Sequence, residues 1–119
     1  MKVTELICEK LDNPIIFIVK EQKTMDFHLS KEHLLVRKMY REFAENEVKP
    51  LAEELDEEER FPMETVEKMA KLGMMGIYFP KQYGGAGGDV LSYAMCVEEL
   101  AKVCGTTAVI VSAHISTCC

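Results

Sequence analysis

The chain has 119 residues, 48% of them hydrophobic, and a formal charge of −6. That length supports one domain with a modest core. The acidic balance argues against nucleic acid, whose phosphates need clustered Lys and Arg. Five cysteines, at positions 8, 96, 104, 118 and 119, form no C-x-x-C pair and no zinc pattern with a histidine. An intracellular chain with reduced thiols fits them best, and Cys118-Cys119 is read as two free thiols rather than a strained vicinal disulfide. His28, His33 and His114 are far apart, so no metal site is expected.

The first 24 residues differ in character from the rest. Val3 to Leu11 suits a short helix, Asn13-Pro14 breaks it, and Ile15 to Val19 is β-rich. This apolar run is too short for a secretory h-region or a membrane span. The chain is expected to be soluble, and cytoplasmic or in an organelle matrix. Residues 1–24 are read as a leader that reflects a mis-assigned start, with Met25 as the second possible start and a docked appendage or a fusion as alternatives.

From Met25 the pattern is regular. Ser30 is placed to cap a helix, with His33 where a capping box would have Glu. Leu35, Val36, Met39, Tyr40, Phe43 and Ala44 form its apolar stripe. A second helix is expected from about Asn46 to Glu58, with Pro50 in its first turn. The acidic run from Glu53 to Glu59 reads as a solvated face. Phe61-Pro62 breaks the chain, and a third helix comes next with Val66, Met69, Ala70 and Leu72 inward and Gly73 as its C′ residue. Met74 to Pro80 reads as a buried, extended connector.

The connector leads into Tyr83-Gly84-Gly85-Ala86-Gly87-Gly88. Glycines allow φ > 0 and close backbone approach. No βαβ pattern surrounds them, so the string is not a dinucleotide fingerprint. Asp89 suits an N-cap. A fourth helix then has Val90, Tyr93, Ala94, Val97, Leu100 and Ala101 as its stripe. Gly105 ends it, and Thr106 or Thr107 caps a fifth segment, Ala108 to Thr117. That segment is a strand by propensity alone and a buried helix in the alternative reading. It runs to the last residue without a cap, and the chain is therefore expected to be truncated in its last helix.

Several stretches carry a resemblance. They are Met25-Asp26-Phe27 with Leu29, Arg41-Glu42-Phe43-Ala44 through Pro50, and Leu72-Gly73-Met74-Met75-Gly76-Ile77. Tyr83-Gly84-Gly85-Ala86-Gly87, Leu91-Ser92-Tyr93-Ala94, Glu98-Glu99-Leu100-Ala101 and Ser112-Ala113-His114 complete the set. In order and spacing, residues 25–119 resemble the N-terminal helical domain of acyl-CoA dehydrogenases, especially the short-chain (butyryl-CoA) type. The resemblance implies an all-α fold, the N-terminal helical bundle of an enzyme that continues into a β-domain and a C-terminal bundle.

It also implies FAD and an acyl-CoA substrate held between those parts, with electrons passed to an electron-transfer flavoprotein. A homo-oligomer is implied as well. The family's glutamate base and most flavin contacts belong to the later parts, so no catalytic residue is assigned here. Glu98 and Glu99 are read as structural, and His114 as a structural or pocket-wall residue. The helix from Thr107 onward would line the acyl-tail pocket, which places Val109, Ile110, Ala113 and Thr117 on its wall. Ile110, Ala113 and Thr117 share a helical face by spacing. The family often continues Ser-Ala-His with Asn-Ser-Leu, whereas this chain reads Ile115-Ser116-Thr117. The alternatives to a dehydrogenase part, inactive alone, are a stand-alone helical interaction module and a non-functional truncated product.

Overall fold

The computed structural model describes residues 27–118. The leader and Cys119, and with them the vicinal-cysteine expectation, lie outside the described residues. Within them the protein is all-α, and no strand occurs.

Helix α1 (Lys31–Phe43) begins where Ser30 accepts the His33 amide at 3.2 Å. The His33 ring meets the cap's side chain, with Nδ1 2.7 Å from Ser30 Oγ. The expected break before the second helix is absent. α1 runs through a π-helical turn, Ala44–Val48, directly into α2 (Lys49–Glu57). A proline inside a helix lacks an N–H and crowds the carbonyl four residues back. Pro50 sits in the first turn of α2. Immediately before it the ladder widens, with the Lys49 amide donating to the Ala44 carbonyl. The helix absorbs its proline as a π turn instead of stopping.

The buried face of this long helix is narrower than the expected stripe. Tyr40, Phe43, Ala44 and Val48 are buried, while Leu35 is 70% exposed and Met39 also reaches solvent. The reason lies in what packs there: α4 covers one side of α1 only.

Helix α3 (Met63–Lys71) starts after Pro62 and buries Thr65 and Met69. Its end is a Schellman motif. Gly73, at φ 76°, donates to the Ala70 carbonyl and Met74 to the Met69 carbonyl. The connector is buried at Met74 and Ile77, as expected, but it is not extended. It coils through successive turns, with Gly76 donating to Gly73 and Phe79 to Gly76. A 3-10 turn, Lys81–Tyr83, leads to Gly84 in the left-handed region.

Helix α4 (Val90–Ala101) is capped by Asp89, which accepts the Ser92 amide at 2.8 Å. Its core face is Ser92, Met95, Cys96, Glu99 and Leu100. Of the expected stripe, Leu100 is buried, Tyr93 and Val97 are half-buried, and Val90, Ala94 and Ala101 are exposed. α4 is apolar on most sides, so periodicity could not single out one face. Helix α5 (Gly105–Ala113) resolves the strand-or-helix alternative as helix. Its N-cap is Cys104, with no side-chain capping bond, and Gly105 is its first residue. Thr107 is buried inside the first turn and does not cap it. A second π turn, His114–Cys118, continues α5. α4 packs against both α1 and α5 and so forms the spine of the bundle. No helix among the described residues is long and apolar enough to cross a membrane.

Candidate functional site

α5 presents two different faces. Val109 is 65% exposed. Ala113 and Thr117 are also exposed, one and two turns further on. The Thr117 hydroxyl donates back to the Ala113 carbonyl, which ties these two positions together. Ile110 is half-buried and faces elsewhere, into a cleft of about 720 Å³. That cleft lies between the end of α2, the Arg60-Phe61-Pro62 break and the start of α5. Of the four expected wall residues, the fold therefore gathers Val109, Ala113 and Thr117 on the open side and sends Ile110 to the cleft.

The π turn after Ala113 has its own supports. Ser116 Oγ donates to the Ser112 carbonyl at 2.6 Å, and Tyr78 Oη donates to the Ile115 carbonyl at 3.2 Å. Tyr93 Oη lies 3.1 Å from Ser112 Oγ. Residues from the connector and α4 thus hold the end of α5. Sequence reasoning missed this set, because contacts at separations of 19 and 37 residues leave no local signature.

It also missed the burial of Glu99, whose side chain is 1% exposed. Glu99 accepts from Arg37 Nε at 2.7 Å, Arg41 Nε at 3.1 Å and Lys102 Nζ at 2.9 Å. Those bonds, Arg41's foremost, outweigh desolvation and hold its carboxyl down at about 2. A glutamate so held is a structural anion between α1 and α4 and no proton acceptor at neutral pH. Glu98 pairs with Arg37 and Lys102 at the rim of the same group.

The N-termini of α1 and α4 are tied in a similar way. His33 Nε2 is 2.8 Å from Asp89 Oδ2, while Oδ1 accepts the Ser92 hydroxyl at 2.7 Å and the Ser92 amide. The Ser92 bonds, followed by that of His33, lower Asp89 to about 2. Cys96 offers no nucleophile, because burial pushes its thiol up to about 12. Among the described residues no cluster of His, Cys, Asp or Glu has metal-ligand geometry.

The glycine loop is closed on itself. Gly85, Ala86, Gly87 and Gly88 donate their amides to the carbonyls of Pro80, Gly76, Phe79 and Ile77. A phosphate cradle needs backbone N–H groups directed at the ligand. Here those groups are consumed within the loop, so this segment does not fit a flavin pyrophosphate. The loop instead staples the connector to the start of α4.

The model of the acyl-CoA dehydrogenase N-terminal domain matches residues 30–119. The chain is 71% identical over 94 residues to a short-chain specific acyl-CoA dehydrogenase of Clostridium acetobutylicum, covering 79% of this chain and 25% of that protein. Among solved structures it is similar to butyryl-CoA dehydrogenase of Megasphaera elsdenii, with a TM-score of 0.69 and 38% identity, covering 75% of this chain and 24% of that one. It is also similar to a chain from a structure described as an electron transferring flavoprotein of Acidaminococcus fermentans. There the TM-score is 0.71 at 43% identity, covering 75% of this chain and 23% of that one. The chain spans about a quarter of the length of these relatives. With the domain model matched along most of its length and the helical order shared, the chain belongs to the acyl-CoA dehydrogenase family, within its N-terminal helical domain.

Proposed function

We propose that this chain serves as the N-terminal helical part, over residues 25–119, of an FAD-dependent acyl-CoA dehydrogenase acting on short-chain acyl-CoA. The observation that carries this reading is the 71% identity with the short-chain specific enzyme. The reaction would be α,β-dehydrogenation of the thioester, with FAD taking the hydride when bound. Electrons would pass to an electron-transfer flavoprotein, a partner supported by the description of a structural neighbour. The assembled enzyme would be a homo-oligomer in the cytoplasm.

The chain's own task in this reading is positional. Val109, Ala113 and Thr117 offer an apolar, small-residue wall along α5, with Ile110 beside it at the cleft. Such a wall recognises an acyl tail by depth, at about 0.8 kcal/mol per buried CH₂. The proton acceptor and the flavin contacts would come from parts of the enzyme outside this chain. The 119-residue chain is therefore inactive alone.

Two measurements test this. The full-length protein is expected to carry flavin and to bleach it when mixed with butyryl-CoA. The isolated chain, mixed with FAD and passed through gel filtration, is expected to emerge colourless. Full-length protein without acyl-CoA-dependent bleaching would overturn the dehydrogenase reading, and a yellow isolated chain would overturn the assignment of flavin binding elsewhere.

A further inference from the structure

The end of α5 is held by hydroxyl groups. An α-helix that widens to a π turn gains one residue, and each added residue rotates the rest of the helix by about 100°, its share of a 3.6-residue turn. The register of His114–Cys118 therefore decides where Thr117 lies relative to Ala113. Ser116 and Thr117 bond back to the carbonyls of Ser112 and Ala113, a pattern that bends helices. These two bonds come from the turn itself. A donor from outside the turn is Tyr78, whose hydroxyl reaches the Ile115 carbonyl at 3.2 Å.

The tyrosine is well placed to hold it. Its ring packs edge-on against Tyr93, with centroids 5.6 Å apart at 84°, and lies tilted at 38° to Phe79, with centroids 4.8 Å apart. Tyr93 in turn meets Ser112, just before the π segment. The connector carrying Tyr78 is itself pinned by the glycine loop, through Gly88 to Ile77 and Gly87 to Phe79. A rigid path thus runs from the glycine loop, through Tyr78, to the register of α5.

We propose that Tyr78 is a positioning residue that fixes the π register of His114–Cys118 and so sets the depth of the acyl-tail wall formed by α5. This rests on the reading of the chain as part of an acyl-CoA dehydrogenase. Tyr78 touches neither the reacting carbons nor the flavin in this role; it acts through the Ile115 carbonyl.

The test is Tyr78→Phe in the full-length holoenzyme, which keeps the ring and removes the hydroxyl. The ratio of kcat/KM for butyryl-CoA to that for octanoyl-CoA is expected to change by about tenfold, within the range one methylene is worth in an apolar pocket. The change should lie in KM, because a pocket wall contributes binding that ground state and transition state share. Backbone amides of residues 114–118 should exchange faster in the variant. If Tyr78→Phe does not accumulate, Tyr78→Met, which also removes the hydroxyl and fills much of the ring's space, is read in the same way. An unchanged chain-length ratio in an active variant overturns the proposal, whatever happens to the overall rate. A wild-type enzyme with no activity on any acyl-CoA removes the dehydrogenase reading and this inference with it.

Discussion

At the residue scale, Glu99 is the clearest case of chemistry decided by surroundings. The same side chain on an exposed turn would be an ordinary surface acid. Here it is buried and accepts hydrogen bonds from two arginines and a lysine. Its carboxyl is depressed from 4.5 to about 2 in the folded chain. The unfolded chain therefore binds more protons between those values, and stability rises with pH across that window. The contribution is complete above about 4.5 and lost as the pH falls to about 2. Asp89, lowered from 3.8 to about 2, acts in the same direction over a narrower window. Glu99→Gln is expected to lower stability at neutral pH by about 1–3 kcal/mol. It should also flatten the acid limb of the stability curve. Urea titrations at several pH values check both, and a wild-type acid slope in the variant would contradict this role for Glu99. The Thr65 hydroxyl is buried without a hydrogen-bond partner among the described residues.

At the element scale, the glycine loop separates two uses of one residue type. Gly84 has φ 86° with open space where a Cβ would sit. Gly85 needs no unusual φ, but a Cβ there would lie 2.1 Å from the Phe79 carbonyl oxygen. Gly84→Ala should cost about 1 kcal/mol, the strain of a left-handed L-residue. Gly85→Ala should cost about 3 kcal/mol, because the connector backbone must move. Equal unfolding midpoints for the two variants would show that the two glycines are not used differently. The distinction matters for function because the loop and connector carry Tyr78 to the end of α5. The π turn before Pro50 shows a similar economy: the sequence marks a helix start there, and the ladder responds by widening.

At the scale of the whole molecule, α4 is the spine and its two sides are unequal. One side packs on α1 and α5, while Val90 on α4, at 67% exposure, and Val109 on α5, at 65%, leave apolar side chains in water. Uncovered apolar surface marks a contact region. The isolated chain is therefore expected to self-associate with rising concentration, and Val109→Asp to weaken that association. Light scattering across a concentration series measures it. A wild-type chain that stays monomeric throughout would show that these side chains form no contact between copies.

Much of this protein is determined locally and can be read from the chain. Ser30, Asp89 and Gly73 mark helix ends because each satisfies orphan backbone groups by its own side chain or φ. The 3.6-residue spacing between those marks gives the helices before α5, while the all-α class and the family come from the resemblance carried by the motifs at Leu72–Ile77, Tyr83–Gly87 and Ser112–His114. Tertiary structure decided what spacing leaves degenerate. It chose the Met95, Cys96 and Glu99 face of α4 over the Val90 and Ala94 face, made α5 a helix against its β-branched propensity, and coiled the connector. It also turned Ile110 toward the cleft while Ala113 and Thr117 stayed outside. The physical reason is common to all four. An apolar residue can be buried on any side, so which side is buried depends on the partner that packs there. That partner, like the cations around Glu99 and the tyrosine at Ile115, comes from a distant part of the sequence.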